Sequence, residues 1–402
     1  MNLDFTDEQH ELRDAVRKFL ANEHPVGQAR ENIDGGKAYS QAVWNGLAEM
    51  GVTALMLPES CGGHGMGALE LCVVAEEIGR QNACVPLASS LYLAVQAVLL
   101  GSSEAQQQEW LTPVSTGTIA TLAAPLDGNA GDKILANVPT FDGKALNGKA
   151  ALVVDGAIAQ IAVVLAKDAA GKAVLVLAKL DEANGVARRT LDCVDNSKPY
   201  AELTFSNTAA VVLDGGKDAL EVLTQVRYRA AVLVAFEQLG GADMALEISA
   251  AYARERKAFG KPIGVYQGIK HKLADMFTAN QLARAHCYYG AWALNSNAPE
   301  LAKAAAGARV TASNAFTLAA QESIQTHGGM GFTWEVDCQL FYKRARQLGL
   351  MRRFLEAQAF QTLVPDQRLI ADGPTTGPAK IRAMRAADGS RVVVYTARGE
   401  PF

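Results

Sequence analysis

Arg256, Phe259 and Gln267 lie within one short stretch, Tyr252 to Gln267, whose chemistry suits holding an anion and a flat ring. The stretch ends one long helix with a cationic last turn, breaks at Gly260 and Pro262, and leads into another helix, so the three side chains are presented at a helix-helix corner. Arg256 can make charge-assisted bonds to an anion, Phe259 can pack on a ring, and Gln267 offers both donors and acceptors. Taken alone, Arg256 reads more readily as a surface cation near a helix C-terminus. Further on, Gln325, Gly328 and Gly329 would allow the backbone to approach a ligand closely, because glycine has no Cβ in the way. One carboxylate is also notable. Glu237 lies seven residues after Ala230, on the helix face of Val226, Ala230 and Ile248, and a glutamate on an apolar stripe has to be paired or have a raised pKa. That is the profile of a general base and also of a structural carboxylate tied to an arginine. Glu356 is a weaker candidate, and His64 reads as a loop residue rather than a ligand.

These side chains must be positioned by helices. Thr6-Asp-Glu-Gln9 has the form of a capping box, followed at helical spacing by Leu12, Val16, Phe19 and Leu20. Pro58 to Gly67 reads as a flexible loop before a helical run, Leu69 to Gly79. From Thr112 the pattern changes to apolar runs between Gly, Asp and Asn turns. Leu152 to Val154, Ile161 to Leu165, Val174 to Leu177 and Ala210 to Leu213 read as strands, two of them joined at hairpin length by Asp168-Ala-Ala-Gly171. Long helices then return over Asp218 to Arg256, Ile269 to Leu294 and Pro299 to His327, which argues for a bundle. The fold class expected is α+β: an N-terminal helical domain (1–111), a central antiparallel β domain (112–215), a C-terminal four-helix bundle (216–363) and a tail (364–402) with no assigned role.

The chain has 402 residues, 49% of them hydrophobic, enough for a large core in two or three packed units. A net charge of −4 supplies no global basic field for nucleic acid or an anionic membrane. The six cysteines are scattered without a CxxC pair, which fits free thiols in a reducing compartment and gives no metal-ligand spacing. The acidic N-terminus lacks the form of a signal or transit peptide, and no apolar run is long enough for a membrane span, so a cytoplasmic location is expected.

Arg256-Lys-Ala-Phe259-Gly260, followed by Gln267 and Lys272-Leu-Ala-Asp-Met276, resembles the signature of the acyl-CoA dehydrogenase flavoproteins. Gln325-Thr-His-Gly328-Gly329-Met-Gly331-Phe332 resembles that family's glycine-rich segment at the adenine end of FAD. The resemblance implies FAD at a subunit interface and an acyl-CoA thioester as substrate. It implies loss of an α proton to a glutamate and of a β hydride to the flavin, a tetramer, and an electron-transferring flavoprotein as acceptor. It assigns Arg256, Phe259, Gln267, Gln325, Gly328 and Gly329 to the cofactor.

Two departures stand beside it. The family's Thr-Glu-Pro-Gly-Ala-Gly-Ser-Asp stretch corresponds to Ala123-Ala-Pro125-Leu-Asp127-Gly-Asn-Ala-Gly131-Asp132, without the Thr-Glu pair. The usual base position, counted from Lys343-Arg-Ala-Arg346, falls on Arg352, and the minority position falls on Ala230. The retained residues are those expected to reach a neighbour's FAD, and the lost ones those expected to act on the chain's own. This pattern suggests a subunit beside a catalytically complete partner, as in family members acting on steroid side-chain CoA thioesters, which Gly329 to Glu335 and Leu340 to Ala345 also resemble. A self-sufficient homotetramer using Glu237, or another carboxylate, and a noncatalytic flavin-binding scaffold are the alternatives.

Overall fold

Helix α1 (Asp7–Glu23) starts as its capping box predicts: Thr6 Oγ1 accepts the Gln9 N–H at 3.3 Å and Gln9 Oε1 accepts the Thr6 N–H at 2.9 Å. The computed structural model describes residues 5–125 and 134–350 together with two short strands, Ile381–Arg385 and Arg391–Tyr395. Arg352, Glu356 and the segment 126–132 lie outside the described residues, as does most of the tail. After α1 come α2 (Gln28–Asp34), α3 (Gln41–Glu49) and α4 (Ala68–Arg80). A π-helical segment, Ala88–Ala94, then runs on as α5 (Val95–Gly101), and α6 (Glu104–Ser115) closes the helical opening of the chain. The loop before α4 is tied by its own backbone, Gly63 N–H to Pro58 O and Gly65 N–H to Leu57 O, and His64 is exposed in it.

Seven strands follow: β1 (Ala120–Ala123), β2 (Thr140–Phe141), β3 (Ala145–Val154), β4 (Ile161–Lys167), β5 (Ala173–Lys179), β6 (Val186–Leu191) and β7 (Tyr200–Val212). β4 and β5 form the expected hairpin, with Asp168 Oδ1 accepting the N–H groups of Ala170 and Lys172. The sheet is not wholly antiparallel, because β1 and β2 pair with β4 in parallel. The chain between β1 and β4 is long enough for that crossover, which a hairpin turn could not make. Since β4 also pairs with β5, β5 with β7, β7 with β3, and β3 with β2, the pairings close on themselves.

Helix α7 (Ala219–Glu255) is the axis of the second helical part. Asp218 caps it, accepting the N–H groups of Leu220 and Glu221 at 2.9 and 3.1 Å. α7 packs against α4, α8 (Gln267–Asn295), α9 (Leu301–His327) and α10 (Cys338–Leu350). Its crossing with α4 is made by glycines. A Cβ on Gly79 would lie 1.8 Å from the Glu237 carbonyl, and one on Gly240 would lie 1.8 Å from that of Glu76. Any side chain at either position would separate the two backbones, so this pair fixes the depth at which α7 carries Glu237. The tail strands β10 (Ile381–Arg385) and β11 (Arg391–Tyr395) pair antiparallel. Among the described residues no helix is long and apolar enough to cross a membrane.

Candidate cofactor face and buried cavity

The end of α7 builds the first part of an exposed face. Arg256 stops the helix in an extended conformation, its N–H still bonded to Tyr252 O at 2.8 Å. A two-residue turn then joins β8 (Lys257–Ala258) to β9 (Lys261–Pro262), with Phe259 at φ 52° and Gly260 at φ 79°. Two positive φ values in succession belong to the tight hairpin turn whose twist matches its strands. Tyr266 braces it through a hydroxyl bond to Ala258 O at 2.9 Å. The result is a Phe259 ring 96% exposed at the tip. Arg256 and Gln267, the first residue of α8, are exposed beside it.

The end of α9 supplies the second part. His327 closes the helix, Gly328 turns at φ 60° and ψ −135°, and a 3₁₀ turn spans Gly328–Phe332. Gln325, Gly328 and Gly329 are exposed, and a Cβ at either glycine would meet nothing within 4 Å, so the backbone there lies open. Gly331 differs, because a Cβ on it would meet Ile324 O at 2.4 Å. The two parts are brought together by a stacked pair: the rings of Tyr252, one turn before Arg256, and His327, next to Gly328, are 4.3 Å apart and inclined by 30°. His327 Nδ1 donates to Ser323 O at 2.7 Å, which orients the ring. Exposed Met330 and Phe332 extend the face with apolar surface.

Glu237 lies inside the protein, 1% exposed. Its Oε1 meets Lys198 Nζ at 2.9 Å and Arg344 Nη1 at 3.2 Å. Arg344, also 1% exposed, donates from Nε to Asp195 Oδ2 at 2.5 Å and from Nη2 to Ser197 Oγ at 2.7 Å. Gln347 clamps the same loop, accepting the Asp195 N–H and donating to Lys198 O. Burial opposes charge on Asp195, yet Arg344 and the Ser197 bonds hold its carboxyl below the usual range. The cluster thus joins α7, α10 and the loop between β6 and β7. Lys198, Asp195 and Arg344 were not singled out from sequence, although Arg344 sits in the run Lys343 to Arg346.

Beside this cluster is a cavity of about 70 Å³ whose lining includes Tyr92, Lys198, Arg227, Ala230, Arg309 and Gln347. Ala230, at the position where a minority of the resembled enzymes would carry their base, presents only a methyl group to the cluster's side of α7. Lys198 lines the cavity and Glu237 does not.

Comparison with known proteins gives the family. Residues 6–118 match the acyl-CoA dehydrogenase N-terminal domain and residues 217–352 its C-terminal domain. The chain is 31% identical over 340 residues to the acyl-CoA dehydrogenase IpdE2 of Mycobacterium tuberculosis, covering 84% of this chain and 91% of that protein. Among solved structures it is similar to the ChsE4-ChsE5 complex from Mycobacterium tuberculosis, with a TM-score of 0.79 and 25% identity over 90% of this chain and 98% of the other. It is similar also to the Tcur3481-Tcur3483 steroid acyl-CoA dehydrogenase, at a TM-score of 0.77 and 25% identity over 89% and 98% of the two chains. The chain belongs to the acyl-CoA dehydrogenase family.

Proposed function

We propose that this chain is a subunit of an FAD-dependent acyl-CoA dehydrogenase that shares its FAD, at a subunit interface, with a catalytically complete partner chain. The observation that carries the reading is the contrast in placement. All six residues assigned to the cofactor are exposed, at the ends of α7 and α9 and the start of α8, while the base position inside carries Ala230 and the nearest carboxylate on that helix is tied to two cations. Two of the similar structures are named as pairs of different chains.

The residues present fit the dinucleotide end of FAD. The open backbone at Gly328 and Gly329 leaves the space a Cβ would fill; Arg256 supplies charge for a pyrophosphate, and Gln267 and Gln325 supply amides for its polar edges. Phe259 and Phe332 would exclude water once a partner covers them. When bound, FAD accepts the β hydride of an acyl-CoA thioester as the α proton is removed. In this reading the base belongs to the partner, because a base must reach the proton it takes, and here Lys198 stands at the cavity wall with Glu237 behind the ion pair. An electron-transferring flavoprotein as acceptor and a steroid-type acyl chain come with the resemblance to the family, and a cytoplasmic location comes with the scattered cysteines, which suit a reducing compartment.

A second reading, an autonomous tetramer with Glu237 as base, has one observation in its favour: Glu237 Oε2 is buried with no hydrogen-bond partner among the described residues. Glu237→Gln separates the two. Assayed with the partner chain, the proposal predicts turnover within about twofold of the parent. Loss of turnover by a factor of about a hundred or more, with fold and flavin retained, would assign the base to Glu237.

A further inference from the structure

The cavity beside Lys198 has a donor-rich, acceptor-poor wall. Lys198, Arg227 and Arg309 contribute three cations to it, and no Asp or Glu is among the residues that line it. Their positions are fixed. Arg309 is held by Gln238, Ser313 and Leu348 O, Arg227 donates to Pro125 O at 2.8 Å, and Lys198 is anchored by Glu237. Leu93, Val154, Ala230 and Val234 give it an apolar wall, and Tyr200 and Gln347 complete its polar side.

Tyr92, on the π-helical segment, also lines the cavity. It is fully buried, and its hydroxyl has no hydrogen-bond partner among the described residues. Burial first, and then the charge of Glu237, raise its pKa, so the phenol stays neutral and offers a proton. A buried donor without an acceptor is costly, and the group that satisfies it best is one that only accepts. A carboxylate is such a group, with about four lone-pair sites for the tyrosine hydroxyl and the lysine N–H groups. A volume of about 70 Å³ is room for about two water molecules at their share of liquid volume, enough for a carboxylate group with a short alkyl stem.

We infer that this cavity is a binding site for a small carboxylate, free or at the far end of a longer acyl chain, held by Tyr92 and Lys198 against an apolar wall. The inference does not depend on shared flavin. Titrating the full-length protein as purified, by calorimetry, with butyrate and with its neutral isostere butyramide tests it. Butyrate should bind saturably and at least about tenfold more tightly than butyramide. Tyr92→Phe should weaken butyrate about two- to tenfold, the range for one neutral hydrogen bond. Ala230→Leu, which fills the cavity, should abolish binding while the fold persists; Ala230→Val serves if the larger side chain does not fold. Arg256→Ala should leave carboxylate binding unchanged, which keeps this test separate from that of the cofactor face. Glutarate and its mono-CoA thioester then distinguish the source: tighter binding of the thioester assigns the chain-end carboxylate, and equal binding assigns the free acid. Equal affinity for butyrate and butyramide, no saturable response to either, or a butyrate response untouched by both Tyr92→Phe and the cavity-filling change would overturn the assignment.

Discussion

The corner at Arg256 and the cluster at Arg344 both present a guanidinium, but one faces solvent and the other is sealed inside. At Arg344 the acceptors are the protein's own, Asp195, Glu237 and Ser197, and the ion pairs join the β region to the helices. At Arg256 the acceptor has to come from outside, since the side chain is exposed at a chain corner beside an almost fully exposed phenylalanine. The buried Arg344 therefore marks architecture, and the exposed Arg256 beside bare aromatic surface marks a place for a ligand and a second chain.

Breaking each side separately should have opposite signatures. Arg344→Ala leaves the buried Asp195 without its cation and Glu237 with Lys198 alone, and should cost about 3–5 kcal/mol of stability, read by chemical denaturation. Arg256→Ala should change stability by less than about 0.5 kcal/mol, yet weaken FAD binding to the assembled protein by about ten- to a hundredfold, the loss expected for a charge-assisted bond. Fluorescence titration of flavin measures it. If Arg256→Ala unfolds the chain, or Arg344→Ala does not perturb it, the contrast fails.

A smaller effect sharpens the interior side. Asp155 is buried, held by Ser89 Oγ at 2.7 Å, and burial pushes its pKa up from 3.8 to about 6. Its folded pKa is raised, so its contribution is fully present below the unfolded value and lost as pH rises through the folded one, between about 4 and about 6. That shift corresponds to about 3 kcal/mol. His24 has the opposite sign, because burial lowers its pKa to about 4 and its neutral form stabilises the protein above the unfolded value. Comparing Asp155→Asn with its parent cancels His24, and the variant should gain on the parent, by up to about 3 kcal/mol, as pH rises from 4 to 7. A pH-independent difference would remove Asp155 from the account.

The smallest expected change is Phe259→Ala. The ring touches too little of its own chain to matter for stability, so the melting temperature should move by no more than about a degree or two, while association with a partner chain should weaken measurably in sedimentation.

Much of the helical frame was legible because its signals are local. The capping box at Thr6, the cap at Asp218, and the breaks at Gly260 and Gly328 each act over a few residues. The strands were harder. β4 and β5 are continuous apolar runs, but β6, Val-Ala-Arg-Arg-Thr-Leu, has only its first residue buried and has no such run, and β2 is two residues whose pairing depends on β3 and β4. The Arg256 corner was readable as a motif, while the interior was not. Lys198, Tyr92 and Arg344 come from segments more than a hundred residues apart, and only folding shows that Glu237 meets two of them. The apolar stripe told that Glu237 needed a partner or a shifted pKa; it could not name the partner.

The most direct test of the central claim is the flavin-to-protein ratio, by absorbance, of this chain purified alone and folded. A shared site predicts little or no flavin on the isolated chain and its appearance when the partner chain is added. One FAD per chain in the absence of any partner would contradict it and return Glu237 to consideration as the base of a self-sufficient enzyme.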